Sequence, residues 1–270
     1  MIGRRANPRV PGSPPVMPEA SRWQFPEPDE LPPGEDLVAT GADLEPGTLL
    51  AAYVAGCFPM PINRKRLGWF SPDPRGVLHP ARLRVTRSLR RSVRRYEVSV
   101  NQAFDQVLAG CADPSRPMGW IDQRIARAYR RLHEMGWVHS IEVWDDEGLA
   151  GGLYGLSIGR LFAGESMFHR RRDASKVALV HLVELVGTDP PAIIDVQWAT
   201  PHLISLGAEE IPRQGYRDLV AAALAEGLEP RLDGRERGER FGPVDRSPLA
   251  VEGAEGAGRS GWLRNGPNGR

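Results

Sequence analysis

The feature that most restricts the fold is a close series of three strand-like runs, at 139–144, 149–158 and 160–168, separated only by turn residues at 145–148 and at Gly159. Parallel neighbours need a crossover of a dozen or more residues, so runs this close predict an antiparallel meander. Before it, Ile121, Ile125, Ala128, Tyr129, Leu132 and Met135 recur at helical spacing, with Gly136 placed to end the helix. After it, the pattern predicts a helix over 175–186, stopped by Gly187, and a compact strand over 192–197 beyond the turn at Asp189-Pro190-Pro191. Upstream, 48–58 reads as a short helix ended by Pro59 and Pro61, 96–100 as a strand and 104–109 as another short helix. Helices and strands in this order predict an α+β fold, a sheet with helices on its faces.

Composition adds where the fold should stop. The chain has 30 Gly and 25 Pro, about a fifth of its length against a usual share of roughly an eighth. They concentrate in residues 1–47 and 227–270, which predicts flexible ends around a folded 48–226. Net charge is only +1, yet the middle is mildly basic, and all but Lys65 and Lys176 of its cationic side chains are arginine, the side chain that pairs with phosphate through a planar fork. Codon bias produces the same skew, so the arginines alone decide nothing. Cys57 and Cys111 have no metal-ligand spacing and suggest no disulfide framework, which points to a cytoplasmic protein. Arg4-Arg5 is followed by no apolar stretch, and no window approaches the ~18 apolar residues of a membrane span. Export and membrane insertion are therefore not expected.

Several residues could carry chemistry. In the strand at 192–197, alternation places Ile193, Asp195 and Gln197 on one face. A carboxylate and an amide in so apolar a strand are costly unless paired, and for an isolated D-x-Q a structural hydrogen-bond network is the better reading. Glu165 interrupts an apolar strand among Met167 and Phe168, where its pKa should tend upward unless a cation sits opposite; a solvent-facing strand end is the equal alternative. Asp173, Ser175 and Lys176 read first as a helix cap and first turn. Ser166 lacks a nucleophile elbow, and no phosphate-binding glycine pattern occurs. Between 82 and 95, Arg82, Arg84, Arg87, Arg90, Arg91, Arg94 and Arg95 run without an acid; the plain reading is a solvated basic face. The nearby Trp69, Phe70 and Arg75, with Trp120 beyond them, give that run a second reading as a grip on an unpaired nucleotide end.

Taken in series, SPDPR (71–75), HSIEVW (139–144), GESMF (164–168) and IIDVQ (193–197), with AYVAGCFPM, SLRRSVRR, GWID, DASKVAL and HLISLGAEEIPR around them, resemble the leucyl/phenylalanyl-tRNA–protein transferase family over about 35–220. Met60 departs from the family, where Trp is frequent, and so does Val196, where Cys is frequent. The resemblance implies a disordered extension over 1–34, a small N-terminal domain over 35–72, an acetyltransferase-like (GNAT) domain over 73–226 with a mixed, largely antiparallel sheet, and a disordered tail over 227–270. It implies transfer of Leu or Phe, and also Met, from aminoacyl-tRNA to the N-terminal Arg or Lys of acceptor proteins, marking them for N-degron proteolysis.

Site residues follow from the same resemblance. Asp195 and Gln197 match the catalytic pair, the carboxylate polarising the amide that holds the incoming amine, and Glu165 matches a substrate-facing carboxylate. Trp120, Leu153, Phe162, Leu179 and Val186 would wall the apolar slot for the transferred side chain. Trp69 would lie by the 3′ adenosine, and Arg75, Arg84, Arg87, Arg90, Arg91 and Arg94 would hold acceptor-stem phosphates. No cofactor or metal is expected, and the chain is expected to be a monomer. An aminoacyl ester is already activated, so no covalent nucleophile is needed. The alternatives are a GNAT acyltransferase using acyl-CoA, for which no [Q/R]-x-x-G-x-[G/A] loop occurs, and a non-catalytic tRNA-binding protein, which would not need Glu165, Asp195 and Gln197 together.

Overall fold

A computed structural model describes residues 14–26, 28, 31–32, 34–116 and 119–232. The N-terminal part builds a three-stranded antiparallel sheet from β1 (Leu37–Thr40), β2 (Phe58–Pro61) and β3 (Leu67–Phe70), in the order β1-β3-β2, with α1 (Pro46–Val54) between β1 and β2 in the chain. From β4 (Arg75–Leu78) onward the chain builds a second, seven-stranded sheet. It takes in β5 (Glu97–Val100), β6 (Val138–Asp145), β7 (Gly148–Ile158), β8 (Leu161–His169), β9 (Ile193–Gln197) and β10 (Glu209–Ile211), in the order β10-β4-β9-β8-β7-β6-β5. Its helices are α2 (Arg87–Val93), α3 (Phe104–Cys111), α4 (Gln123–Met135), α5 (Ala174–Val186), α6 (Pro201–Ser205) and α7 (Arg213–Leu224).

The expected meander is β6-β7-β8, antiparallel throughout. β8 and β9 instead pair in parallel, and the connection between them carries α5, as a parallel pair requires. Successive β7 residues face different cores: Tyr154 joins the cluster under α1, α3 and α4, whereas Leu153 joins the one under α5 and α2. α4 begins where the Asp122 carboxylate accepts from the Arg124 and Ile125 amides, and it ends at Gly136 in the left-handed region. Asp173 does not cap α5 through its side chain. Its carboxylate accepts from Ser92 Oγ of α2 and Lys176 Nζ instead, tying the two helices together.

Two expectations from composition are corrected. Of the extension over 1–34, residues 14–26 lie packed on the body. The Val16 amide donates to the Met135 carbonyl, the Trp137 indole donates to the Val16 carbonyl, and Phe25 meets Trp69 edge-on at 4.8 Å. The segment crosses α1 so closely that a Cβ on Gly47 would lie 1.9 Å from the Glu19 carbonyl oxygen. Proline richness here reflects a pre-extended chain with few donors to satisfy, not an unfolded one. At the other end, residues 227–232 are described and the Arg231 amide bonds to the Gly159 carbonyl; the tail beyond 232 lies outside the described residues. No helix among the described residues is long and apolar enough to cross a membrane, and Cys57 and Cys111 are both buried free thiols.

Candidate active site

Glu165 owes its position to a β-bulge. Tyr154 pairs with Ser166 and Gly155 with Gly164, so Glu165 is the extra residue of β8, opposite nothing on β7. Bulges re-aim side chains, and this one turns a carboxylate into the cluster under α1 and α4. There Tyr53 donates to Oε1 at 2.5 Å and Tyr129 to Oε2 at 3.0 Å, and the two hydroxyl oxygens lie against each other, a contact that becomes a third hydrogen bond only when the carboxyl itself carries a proton. Burial, opposed by the two tyrosine hydrogen bonds, pushes the Glu165 carboxyl up to about 7. Burial and the Glu165 charge push both tyrosines well above their ordinary range. Beside them the fully buried Tyr154 hydroxyl has no hydrogen-bond partner among the described residues, an omission that costs about 1–3 kcal/mol until a ligand or solvent supplies one.

The bulge depends on Gly155, where a Cβ would lie 2.3 Å from both the Ala163 carbonyl oxygen and the Phe162 ring. Gly155→Ala is therefore expected to lower stability by about 1–3 kcal/mol, read as a fall in the urea midpoint, and to depress activity further by moving Glu165.

The second network centres on Asp195 in β9. Arg75 of β4 grips it bidentately, Nε to Oδ1 at 2.8 Å and Nη2 to Oδ2 at 2.6 Å, and both side chains are fully buried. Tyr216 of α7 donates to Oδ2 at 2.9 Å, and the Gln197 backbone amide donates to Oδ1 at 2.9 Å. Arg75 also donates to the Gly56 carbonyl and lies between the rings of Tyr216 and Phe58, at 4.2 and 4.9 Å. Burial alone would lower the guanidinium pKa, but the Asp195 charge more than offsets this and holds it up. Gln197, at a positive φ of 57°, turns the chain out of β9. With its amide oriented to satisfy its neighbours, Nε2 donates to the Gly164 carbonyl at 2.9 Å, bringing Gln197 to the residue before Glu165.

The structure thus gathers Glu165, Asp195 and Gln197 where β8 meets β9, but by different contacts from those expected. Asp195 polarises the backbone amide of Gln197. Of the expected slot, Leu153, Phe162, Leu179 and Val186 share the cluster under α5, while Trp120 packs against the other cluster. Arg84, Arg87, Arg90, Arg91 and Arg94 are exposed, α2 being anchored through Leu89 and Val93. Arg87, Arg90, Arg91 and Arg94 have no acidic partner among the described residues, while Arg84 reaches the Ile204 carbonyl.

Two expected nucleic-acid contacts are corrected. Trp69 is 0% exposed, its indole bonded to the Gly41 carbonyl at 2.9 Å, so it packs the N-terminal sheet and offers no stacking face. Arg75 is also 0% exposed and spends its guanidinium on Asp195, so it meets no phosphate. Sequence reasoning also missed Tyr53, Tyr129 and Tyr216, whose only signal was an aromatic hydroxyl in a helix with an apolar face. It missed Arg213 as well, which is buried and donates to the carbonyls of Ser71, Pro28 and Glu35, fastening the N-terminal part to α7.

The chain is an α+β protein with a mixed sheet, in which two carboxylate networks meet at the β8–β9 strand pair. Comparison with known proteins makes it particular. Residues 77–221 match the family model described as leucyl/phenylalanyl-tRNA protein transferase, and residues 42–73 match the model of that enzyme's N-terminal domain. The chain belongs to the leucyl/phenylalanyl-tRNA–protein transferase family of aminoacyltransferases. It is 48% identical to the transferase of that name from Aromatoleum aromaticum, covering 84% of this chain and 97% of that one. It is 46% identical to the one from Anaeromyxobacter dehalogenans, covering 81% and 94%. Among solved structures, a GCN5-related N-acetyltransferase from Kribbella flavida aligns at 13% identity over 61% of this chain and 60% of that one, with a TM-score of 0.32, too distant to bear on the fold.

Proposed function

We propose that the chain transfers Leu or Phe, and also Met, from aminoacyl-tRNA to the α-amine of an N-terminal Arg or Lys, acting as a cytoplasmic monomer and marking the acceptor for N-degron proteolysis. The observation that carries this reading is the bulged Glu165, a carboxylate with a pKa of about 7 held beside an amide and a fixed ion pair. The acceptor amine has an ordinary pKa of about 7.7–8.0 and must be neutral to attack the ester carbonyl. Glu165 is matched to take its proton, and the linked hydroxyls of Tyr53 and Tyr129 spread the charge. Asp195 is not suited to that task. Protonating it would break the Arg75 pair, so it acts as a positioning residue for Gln197, whose side-chain oxygen receives the amine. The neutral amine nitrogen bonds to the ester carbon, the ester C–O bond breaks, and the tRNA oxygen leaves as a hydroxyl carrying the second proton given up by the nitrogen, while the proton first taken from the ammonium passes from Glu165 to solvent.

The GNAT arrangement of residues 73–226 belongs to the same proposal and is supported by the antiparallel β5-β6-β7-β8 run followed by a parallel β9. Leu153, Phe162, Leu179 and Val186, which share the cluster under α5, would wall the aminoacyl slot, and Trp120, which packs on the other cluster, is left out of it. One branched methyl alters fit by a few kcal/mol, so Leu should be preferred over Ile or Val by about 10–200-fold. Competing charged tRNAs for one Arg-initiated peptide measures this; equal use of Val-tRNA would remove the slot.

The exposed arginines of α2, with Arg84, would hold tRNA phosphates. Arg90→Ala combined with Arg94→Ala is expected to weaken tRNA binding and lower its log–log salt slope by about 1–2, as filter binding would read it. An unchanged slope would place the phosphates elsewhere.

A further inference from the structure

Trp198 directly follows Gln197, at the point where the chain turns out of β9, and residues 198–199 press on β4 so closely that a Cβ on Gly76 would lie 2.5 Å from the Ala199 nitrogen. The indole stands perpendicular to Phe58 at 5.2 Å between centroids, and the Phe58 ring in turn bears on the Arg75 guanidinium. Trp198 Nε1 donates to Asp36 Oδ2 at 3.3 Å, while Asp36 Oδ1 accepts from the Asp73 amide at 3.3 Å. Despite this support from three sides, Trp198 is 38% exposed. An indole fixed in place, open to solvent and touching a carboxylate is attractive to a cation on two counts, the ring quadrupole and the adjacent charge. A phosphate would be repelled by Asp36, and the unpaired arginines that suit phosphate lie on α2.

We propose that Trp198 and Asp36 bind the cationic side chain, guanidinium or ammonium, of the acceptor's first residue. This rests on the transferase reading above. Trp198 is the chain neighbour of Gln197, which in the transferase reading receives the α-amine of that same acceptor residue. Recognition of the cation by a ring and one carboxylate, without a fitted fork, accounts for acceptance of Arg and Lys alike.

The test is steady-state transfer at saturating Phe-tRNA to two matched peptides, one starting with Arg and one with citrulline, its neutral isostere. Trp198→Leu, which keeps an apolar cover over Phe58, and Asp36→Asn are each expected to raise KM for the Arg peptide roughly 5- to 30-fold, with little change for the citrulline peptide, and Trp198→Phe should recover part of the loss. Equal shifts for both peptides, or unmoved KM values, would overturn the inference. A rise in KM for Phe-tRNA in place of the acceptor would overturn it too, by showing the indole to be a platform for a base. Wild-type protein that transfers to neither peptide sinks the transferase reading and the inference together, whereas wild-type transfer with unmoved variants sinks the inference alone.

Discussion

Arg75→Met is expected to destabilise the protein by about 3–5 kcal/mol, because it leaves the Asp195 carboxylate buried with its principal counter-charge removed. Asp195→Ala should cost a similar amount from the other side, stranding a guanidinium between two aromatic rings. The double variant Arg75→Met with Asp195→Leu should recover much of this, since apolar replacement of both partners removes the desolvation cost along with the attraction. Urea unfolding of the two single variants and the double gives the coupling directly. Transfer activity should stay low in the double variant even where stability returns, because the Gln197 amide and the Tyr216 hydroxyl have lost their acceptor. Additive losses in stability would mean that the pair is not the unit described.

Glu165→Gln is expected to slow transfer by about 10²–10⁴-fold, the usual worth of a positioned general base. Its pH signature separates a base from a packing residue. The wild-type single-turnover rate should rise through pH of about 7 as Glu165 ionises, and rise further as the acceptor amine loses its proton at about 7.7–8.0. The variant should show only the second limb. Stability carries the opposite sign. The folded-state pKa is raised from 4.5 to about 7, so the folded protein binds a proton that the unfolded chain has released over that window. The contribution is fully present below the unfolded value, falls as pH rises and is lost above pH of about 7, and Glu165→Gln should flatten that fall. A variant that keeps both limbs would assign the proton to another group.

The parts legible in the sequence are those that depend on local periodicity. The α4 stripe, with Asp122 before it and Gly136 after it, needs no partner to be read, and the β6-β7-β8 meander follows from the shortness of its turns. Glu165 was visible as a carboxylate among apolar residues, but the bulge that aims it is a register shift set by Gly155 on another strand. Arg75 and Asp195 are 120 residues apart, and nothing local marks one as the partner of the other. Just after Pro74 and near aromatics, Arg75 looked like a surface cation. Trp69 and Phe70 were read as one exposed aromatic patch, yet successive strand residues face opposite ways, and Trp69 turns inward. The proline-rich start was misread because composition reports the freedom of a chain, whereas Val16 and Phe25 act through single contacts on Trp137 and Trp69.

The central claim is a new peptide bond on an N-terminal residue. Wild-type protein incubated with Leu-tRNA or Phe-tRNA and an acceptor beginning with Arg, followed by N-terminal sequencing and intact mass, should return the acceptor with one Leu or Phe ahead of its Arg. The N-acetylated acceptor should be unchanged. An acceptor left unextended, or extended equally well when acetylated or when acyl-CoA replaces the charged tRNA, would contradict the account.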